Sequence, residues 1–335
     1  MKCTIKDIAR LSGVSPSTVS RVISGNARIS DETQARVRKI MEETHYQPNL
    51  LARSLVKCSA SALCVFTKAN PEETMKQSFF SEALRGMAVE ASASRRQLLI
   101  SAQEEGSDNP ALVRQIISGG MADGVILLAV HPRDSAVALL REAEFPFVLL
   151  GSPDEDTPAS FVDNDNVSAG REATAYLLRR GHRRIALMGA DERYTVNLHR
   201  KAGYFAALEA AGLSRDEGLL IDDPLRHPEA VRRLMTAPDA PTALIALDDS
   251  VGLYLLGALK EWGVRVPERA SLLTFNNNPV APYLTPPLTS VEVYPYELGR
   301  EAVRMLMEVI ADGGNGVRKA YVPVSLIERD SVRSL

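Results

Sequence analysis

The alternation of short apolar runs with amphipathic stretches from residue 61 onward constrains the fold more than any other feature of this sequence. Seven runs have the length and apolar content of buried strands; they are Ala62–Thr67, Leu98–Ala102, Gly124–Val130, Phe147–Gly151, Ile185–Gly189, Ala243–Leu247 and Leu272–Phe275. Segments with helical spacing lie between them, near residues 80–95, 109–119, 133–143, 165–181, 199–212, 228–237 and 249–262. This alternation predicts parallel sheets with helices on both faces, and the number of strands favours two such sheets.

Polar side chains stand where several of these strands end. Asp163-Asn164-Asp165 follows Phe161-Val162, Asp248-Asp249 follows Ala246-Leu247, and Asn276-Asn277 follows Thr274-Phe275. Doubly wound sheets bind ligands beyond the carboxyl ends of their strands, so two facing sheets predict a cleft with this lining. Three further candidates stand at the heads of predicted helices: Phe79, Phe80 and Arg200. Carboxylates, amides and an arginine among aromatic rings are typical of sites for sugar hydroxyls.

Each of these candidates also has a structural interpretation. A carboxylate at a strand end is often only the N-cap of the next helix, and Asp249 fits that role too. Arg200 is also expected to pair with an acidic neighbour on the surface. Phe79 and Phe80 are adjacent, so one of the two is expected in the core if both are helical.

The first 58 residues differ in charge from the remainder. They hold ten Lys and Arg against five Asp and Glu, a balance of +5, whereas the remainder holds 29 against 37, a balance of −8. A basic head (residues 1–58) on an acidic body (residues 59–335) indicates that only the head binds a polyanion.

Three short helices are predicted in this head. Thr4–Ser12 has helical spacing, Gly13-Val14 breaks it, and Ser15-Pro16 is a typical N-cap followed by proline at the first helical position. Ser30-Asp31 caps a third helix. This arrangement predicts a helix-turn-helix whose second helix enters the major groove by its N-terminal end.

The outward residues of the second helix are the candidates for DNA contact. Pro16, Ser17 and Arg21 are placed to read bases, and an arginine that pairs bidentately with guanine discriminates by about 1–3 kcal/mol. Phosphate contacts, which position without specifying, are assigned to Ser15, Thr18, Ser20 and Asn26. Any one of the serines is equally well explained as a capping or surface residue.

The run from Thr4 to Ile23, TIKDIARLSGVSPSTVSRVI, resembles the head of the lactose/galactose repressor family, and Tyr46–Leu55, YQPNLLARSL, resembles the hinge of that family. The resemblance implies that residues 49–56 fold into a helix only on operator DNA. It also implies that Leu55 wedges into the minor groove beside its mate from a second subunit, and it adds Thr4, Asn49 and Ala52 to the DNA contacts. A wedge that unstacks a base step and bends the duplex is physically reasonable. Without the family, Leu50, Leu51 and Leu55 form a short amphipathic core helix.

The resemblance extends to Ser331. Phe79-Phe80, Val162-Asp163-Asn164, Arg200–Tyr204, Asp248-Asp249, Phe275–Asn277 and Pro286–Ser290 fall where the family keeps its effector pocket and crossovers. The family usually has aspartate at position 276 and Asn-Asp at 248–249, so these departures put a direct transfer of effector identity in doubt. Phe145–Gly151, Val162–Thr174 and Phe275–Asn277 look most like maltose-operon regulators.

Other classes of protein fit this sequence less well. It contains no glycine-rich phosphate loop, no HExxH and no nucleophile elbow. No metal or cofactor is expected, because no histidine accompanies the acidic pairs and His131, His182 and His199 have no evident acid or nucleophile partner. A sugar-binding transport protein would share the body but would carry an export signal and lack the head. Charges near the N-terminus, the absence of a long apolar run and three unpatterned cysteines (Cys3, Cys58 and Cys64) predict a cytoplasmic protein.

The sequence therefore predicts a cytoplasmic, non-enzymatic transcription regulator that binds a near-palindromic operator, most simply as a homodimer. A repressor of maltose-like carbohydrate genes with a mono- or disaccharide effector is favoured, and a catabolite-control regulator answering to a phosphorylated carrier protein is the alternative. The predicted domains are a helix-turn-helix (1–47), a hinge helix (48–58) and a periplasmic-binding-protein-like α/β body (59–335). The body divides into an N-subdomain (about 60–160 plus 292–319) and a C-subdomain (about 161–291 plus 320–335).

Overall fold

The structure is a computed structural model that describes residues 3–23, 29–46, 60–67, 78–103, 110–154 and 156–335. The chain divides into two compact units, Met1–Ala60 and Ser61–Leu335. The predicted hinge and its candidates Asn49, Ala52 and Leu55, like Asn26 in the head, lie outside the described residues. Within the described ranges, no helix is both long enough and apolar enough to cross a membrane.

The described part of the first unit folds into three helices around a small core. They are α1 (Ile5–Ser12), α2 (Pro16–Ile23) and α3 (Asp31–Glu43). Each contributes a fully buried side chain to the centre, and these are Ile8, Val19 and Val37. One buried branched side chain per helix at the common centre fixes how the three helices pack.

Local sequence sets the ends of α1 and α2. The Asp7 carboxylate accepts hydrogen bonds from the Thr4 N–H (3.0 Å) and hydroxyl (2.7 Å), which closes a capping box on α1. Gly13 ends α1 with a φ of +67°, a conformation that glycine adopts without a steric penalty. Ser15 caps α2 by accepting the Thr18 N–H at 3.2 Å, as the sequence predicts.

The second unit alternates strands and helices. Its strands are β1 (Ala62–Thr67), β2 (Gln97–Ala102), β3 (Val125–Leu128), β4 (Phe147–Leu150), β5 (Phe161–Asp163), β6 (Ile185–Met188), β7 (Leu220–Ile221), β8 (Ala243–Ala246), β9 (Ser271–Phe275), β10 (Thr289–Glu292), β11 (Lys319–Tyr321) and β12 (Ser325–Ile327). Its α-helices are α4 (Ser78–Ala93), α5 (Ala111–Ser118), α6 (Ser135–Glu142), α7 (Asn166–Arg179), α8 (Thr195–Ala210), α9 (Pro228–Thr236), α10 (Asp249–Glu261) and α11 (Pro295–Ala311).

These strands form two six-stranded sheets. The first has the order β11-β5-β4-β3-β1-β2 and is parallel throughout. The second has the order β12-β10-β9-β8-β6-β7 and is parallel except for the antiparallel edge strand β12. We call the first sheet with its helices the first lobe, and the second sheet with its helices the second lobe. The predicted pair of doubly wound sheets is confirmed.

Helices bury both faces of each sheet. In the first lobe α4 and α11 cover one face and α5 and α6 cover the other. In the second lobe α7 and α8 cover one face, and α9 and α10 the other. Both faces of the central strands are therefore apolar, which is why they appear in the sequence as continuous rather than alternating apolar runs.

The chain passes between the lobes three times. It crosses from β5 to α7, from β10 to α11 and from β11 to β12. Phe161–Asp163 lies in the first sheet, past the predicted boundary at residue 160, and Lys319–Tyr321 extends in that sheet past residue 319. The short strand β11 pairs with β5, and β5 pairs with β4, so at both crossings the chain leaves the first sheet later than the sequence predicts.

Each lobe contains a pair of helices that touch backbone to backbone at glycines. In the second lobe a Cβ at Gly170 of α7 would clash with the Arg200 carbonyl of α8, and one at Gly203 with the Val167 carbonyl of α7. In the first lobe Gly86 of α4 and Gly299 of α11 have the same reciprocal relation. Only glycine permits such close approach.

Candidate functional site

A cavity of about 220 Å³ lies between the carboxyl ends of the two sheets. Its wall includes residues that follow strands of both lobes, namely Val130, Gly151, Asp163, Gly189, Asp248 and Asn276. This is where parallel sheets bind ligands. Phe79, Phe80 and Arg200 complete the set of predicted residues that line it.

Arg200 projects from the second turn of α8 and is only 4% exposed. Its Nε donates to Asn166 Oδ1 at 2.9 Å and its Nη1 to the Leu247 carbonyl at 2.6 Å, while the guanidinium stacks on the Phe275 ring at 4.1 Å. Its Nη2 has no hydrogen-bond partner among the described residues. Burial lowers the pKa of Arg200 to about 10, opposed by nearby aspartates, so the side chain stays charged at neutral pH.

Asp163 is buried and its carboxylate is occupied by protein donors. Oδ2 accepts the Ser152 N–H (2.8 Å) and hydroxyl (2.7 Å), and Oδ1 accepts the Asn164 N–H (2.8 Å) and the Asn166 amide (2.9 Å). Burial raises the pKa of Asp163, and the hydrogen bonds from Ser152 and Asn164 oppose that shift. Its four bonds leave little capacity for a ligand, so its main role is to order the strand ends around it.

Asp248 and Asp249 have different positions. Asp248 is the N-cap of α10, accepting the Ser250 N–H at 2.7 Å, and its carboxylate lines the cavity. Asp249 is not among the cavity-lining residues and instead accepts the Ser78 hydroxyl at 3.4 Å and the Asn278 N–H at 3.2 Å. Burial, with the charge of Asp248, raises the pKa of Asp249 to about 7. The capping role considered for Asp249 therefore belongs to its neighbour.

Asn276 holds an unusual backbone conformation and an unused acceptor. Its φ is +81°, which asparagine tolerates better than most residues. Its Nδ2 donates to Asp248 Oδ2 at 3.3 Å. Its Oδ1 is buried without a hydrogen-bond partner in the part of the chain that the structure describes. Because buried polar atoms are normally paired, this oxygen marks a place where a ligand donor fits.

The two phenylalanines at the start of α4 both line the cavity. Their rings meet edge to face, with centroids 5.2 Å apart and planes at 87°. The expectation that only one of them faces the cleft is wrong, because both rings are partly buried, lining the cavity while also packing against the core of the first lobe.

A larger cavity of about 540 Å³ lies at the edge of the first sheet, beside β5 and β11. It shares Asn164 and Asn166 with the smaller cavity, but its wall includes the widely exposed side chains Val317 and Tyr321. Arg200 and Asn276, two buried polar residues of the second lobe, line the smaller cavity and not the larger one, which makes the smaller cavity the stronger candidate for a ligand.

The described head presents a polar surface on α2. Ser15, Pro16, Ser17, Ser20 and Arg21 are exposed and Thr18 is half-buried, whereas Val19 and Val22 face the core. Ser15 Oγ also lies 2.7 Å from Ser17 Oγ and 2.9 Å from Thr18 Oγ1. Thr4 is exposed at the start of α1. The residues assigned to base reading therefore lie on one accessible helix face.

Comparison with known proteins adds an independent observation. Residues 4–49 match the model of bacterial regulatory proteins of the lacI family, and residues 174–332 match that of the periplasmic binding protein-like domain. The transcriptional regulator CelR of Thermobifida fusca is 32% identical over 336 residues, covering 98% of each chain. This chain is a LacI-family regulator. The regulator MalR of Streptococcus pneumoniae is 33% identical over 330 residues, covering 96% of this chain and 97% of MalR.

Solved structures agree with this assignment. A CelR–cellobiose complex has a TM-score of 0.75 at 30% identity and covers 98% of this chain and 99% of CelR. A lac repressor dimer bound to operator and to the anti-inducer ONPF has a TM-score of 0.87 at 21% identity, covering 100% of both chains, which shows the shared fold. The LacI-family regulator described here is therefore a DNA-binding transcription regulator, as the sequence predicts.

Sequence reasoning missed several groups of this LacI-family site. Thr195, at the first turn of α8, donates its hydroxyl to the Ser152 carbonyl at 2.8 Å. Asn166 links Asp163 to Arg200. The predicted start of α8 at residue 199 was four residues late, and this concealed Thr195. The polar character of Asn166 at the start of a helix that follows a strand end was the available signal.

Proposed function

We propose that this LacI-family regulator is a repressor of carbohydrate-utilisation genes. A mono- or disaccharide bound in the cavity between its lobes controls its affinity for operator DNA. The single observation that carries the ligand assignment is the set of unused polar groups in that cavity. Within the described ranges, Arg200 Nη2 is an unused donor and Asn276 Oδ1 is an unused, buried acceptor. The proposal gives the chain no catalytic role and places its action in the cytoplasm.

A sugar matches these groups better than an anion does. Each sugar hydroxyl both donates and accepts, so adjacent hydroxyls satisfy the arginine donor and the asparagine acceptor together. The carboxylates of Asp248 and Asp249 lie near Arg200 and disfavour a ligand with negative charge. The rings of Phe79 and Phe80 offer apolar faces. CelR, a relative, forms a complex with cellobiose, and another relative carries the name MalR.

On DNA, the exposed face of α2 is assigned to the major groove. Pro16, Ser17 and Arg21 are the base readers, and Thr4, Ser15, Thr18 and Ser20 are phosphate contacts. Asn26 and the hinge residues Asn49, Ala52 and Leu55 are further contacts in this proposal. Matched controls exist for the reading arginine, because Arg10 is also an exposed arginine and lies on α1.

A homodimer is proposed as the functional unit, since two heads on one near-palindromic operator raise each other's effective concentration. β2 is an edge strand of the first sheet, and its Leu99 and Ile100 are 37% and 54% exposed. Val280 and Tyr283 in the second lobe are 45% and 87% exposed. Apolar side chains exposed on both lobes support pairing with a second copy, because monomers rarely leave such surface open.

The test is operator affinity at fixed salt, titrated with a panel of mono- and disaccharides that includes cellobiose and maltose. Salt is fixed because phosphate contacts make the affinity strongly salt-dependent. We expect one sugar to weaken operator binding by about tenfold or more, a coupling of about 1.4 kcal/mol. Operator binding that no sugar changes would contradict the ligand assignment. A sugar that tightens operator binding would identify the ligand but contradict control by induction.

The DNA assignment has its own control. Arg21→Ala should relax base preference at one operator position, whereas Arg10→Ala should lower affinity about equally for all sequences or not at all. An unchanged base preference in Arg21→Ala would remove this residue from the readers.

A further inference from the structure

Two separate sets of hydrogen bonds join the lobes beside the cavity. In one, Thr195 of the second lobe donates its hydroxyl to the Ser152 carbonyl (2.8 Å) and its N–H to the Val130 carbonyl (3.3 Å) of the first lobe. In the other, Ser78 of the first lobe donates its hydroxyl to Asp249 Oδ2 (3.4 Å) and accepts from Asn278 Nδ2 (3.2 Å). The acceptors of the first set are main-chain atoms, whereas the second set consists mainly of side chains.

The second set is a closed cycle. Asp249 Oδ1 accepts the Asn278 N–H at 3.2 Å, so each of the three residues bonds to both of the others. The Asn278 amide is held in place because its Oδ1 accepts the Val280 N–H at 2.9 Å, which directs Nδ2 toward Ser78. Asp249 is 7% exposed, so water competes little for its carboxylate.

Every member of this cycle lies within two residues, along the chain, of a residue that lines the cavity. Ser78 precedes Phe79, Asp249 follows Asp248, and Asn278 lies two residues after Asn276. A shift of the cycle therefore moves ligand-lining residues of both lobes through very short stretches of backbone. A ligand that moves those residues likewise strains or relieves the cycle.

We propose that Ser78, Asp249 and Asn278 form an interlobe contact that positions the two halves of the ligand cavity and thereby sets the apparent affinity for the ligand. Ser78 is the positioning residue on the first lobe, since it supplies the only first-lobe atom of the cycle. All three members contribute side chains, whereas the first set uses the side chain of Thr195 alone, so this contact offers the sequence more positions at which to tune the relative position of the lobes. The inference rests on the proposed function only for the identity of the ligand.

The first experiment measures the interlobe distance by double electron–electron resonance on the full-length chain. Spin labels are attached to cysteines that replace Glu142 at the end of α6 in the first lobe and Glu209 in α8 in the second lobe, both of which are exposed. Cys3 and Cys58 are changed to serine in this background. An excess of unlabelled chain keeps the signal within one chain. Ser78→Ala is compared with two controls. Ser81→Ala changes a serine on the same helix whose hydroxyl, among the described residues, bonds only to the Ser78 carbonyl. Ser78→Thr keeps the hydroxyl.

We expect Ser78→Ala to shift or broaden the distance distribution, Ser78→Thr to restore it, and Ser81→Ala to match the parent. The same variants are then titrated on operator with the active sugar of the panel, and Ser78→Ala should move the midpoint by about fivefold, as loss of one pair of half-buried hydrogen bonds predicts. An unchanged distance distribution in Ser78→Ala overturns the proposal, and so does a change of equal size in Ser81→Ala. If no sugar acts on the parent, the proposed function fails, while the distance measurement still decides the contact.

Discussion

The first-lobe and second-lobe walls of the cavity use their polar side chains in opposite ways. In the first lobe, Asp163 accepts four hydrogen bonds from protein groups. In the second lobe, counting only partners that the structure describes, Arg200 keeps one unused donor and Asn276 one unused buried acceptor. A fully paired carboxylate orders its surroundings, whereas an unpaired buried group is stabilised when a ligand pairs with it. Under the proposed function, we therefore expect the polar groups of the first-lobe wall to be mainly structural and those of the second-lobe wall to select the ligand.

The largest expected effect lies on the first-lobe side. Asp163→Ala leaves four donors buried without an acceptor and removes a negative charge near Arg200, so the free energy of unfolding should fall by about 3–5 kcal/mol. Urea denaturation measures this loss. Asp165→Ala is the control, because that exposed carboxylate only caps α7 and should lower stability by about 1 kcal/mol. Equal losses in the two variants would break the comparison.

The pH dependence of stability tests the second-lobe side. The pKa of Asp249 is raised to about 7 in the folded chain, above its ordinary value of 3.8. Its contribution to stability is therefore present below pH 4 and is lost as the pH rises through 7. Relative to Asp249→Asn, the wild type should lose about 2–4 kcal/mol of unfolding free energy between pH 4 and 8. Parallel pH profiles from urea melts of the two proteins would contradict this.

Arg200→Lys keeps the charge but removes the fork that reaches Asn166, the Leu247 carbonyl and a ligand. We expect the sugar concentration at half release of operator to rise by about tenfold or more, because hydrogen bonds to a charged group are lost. Lys201→Ala is the neighbouring control, since its ammonium pairs with Glu192 on the surface. A normal response in Arg200→Lys would assign the ligand to other groups.

The smallest effect sharpens the comparison most. Asn276→Gly removes the amide and keeps the φ of +81° free of strain. The sugar response should weaken by about fivefold, while the unfolding free energy should change by less than about 1 kcal/mol. Asn276→Gly should therefore change the sugar response much and the stability little, whereas Asp163→Ala should mainly change the stability. A large loss of stability without a change in response would show that Asn276 is structural as well.

The sequence predicted the buried part of the fold well. All seven apolar runs are strands, and six of them are central strands, which are apolar on both faces in a parallel sheet; the seventh, β2, lies at the edge of the first sheet. β7, β11 and β12 had no such signal, since they are two or three residues long and lie at sheet edges, where one side is open to water. Edge strands depend on pairing with a neighbour more than on their own composition.

The site was predicted less completely. Arg200 and Asn276 reach the cavity because strand ends and helix starts of parallel sheets converge there, a rule that the sequence pattern carries. The distinct roles of Asp248 and Asp249 depend on side-chain direction at one helix N-terminus, which adjacent identical residues do not reveal. The saturation of Asp163 depends on Ser152 and Asn166, and only the folded chain brings Ser152 to it.

The glycine contacts between paired helices have a mechanical consequence. Because α7 and α8 pack with their main chains in contact at Gly170 and Gly203, and α4 and α11 at Gly86 and Gly299, a shift within either pair disturbs close main-chain contacts. Each lobe is then expected to move as a stiff body, with bending confined to the three short segments where the chain passes between lobes. A bound molecule that moves one lobe against the other is therefore expected to bend those segments more than it distorts the packing inside a lobe.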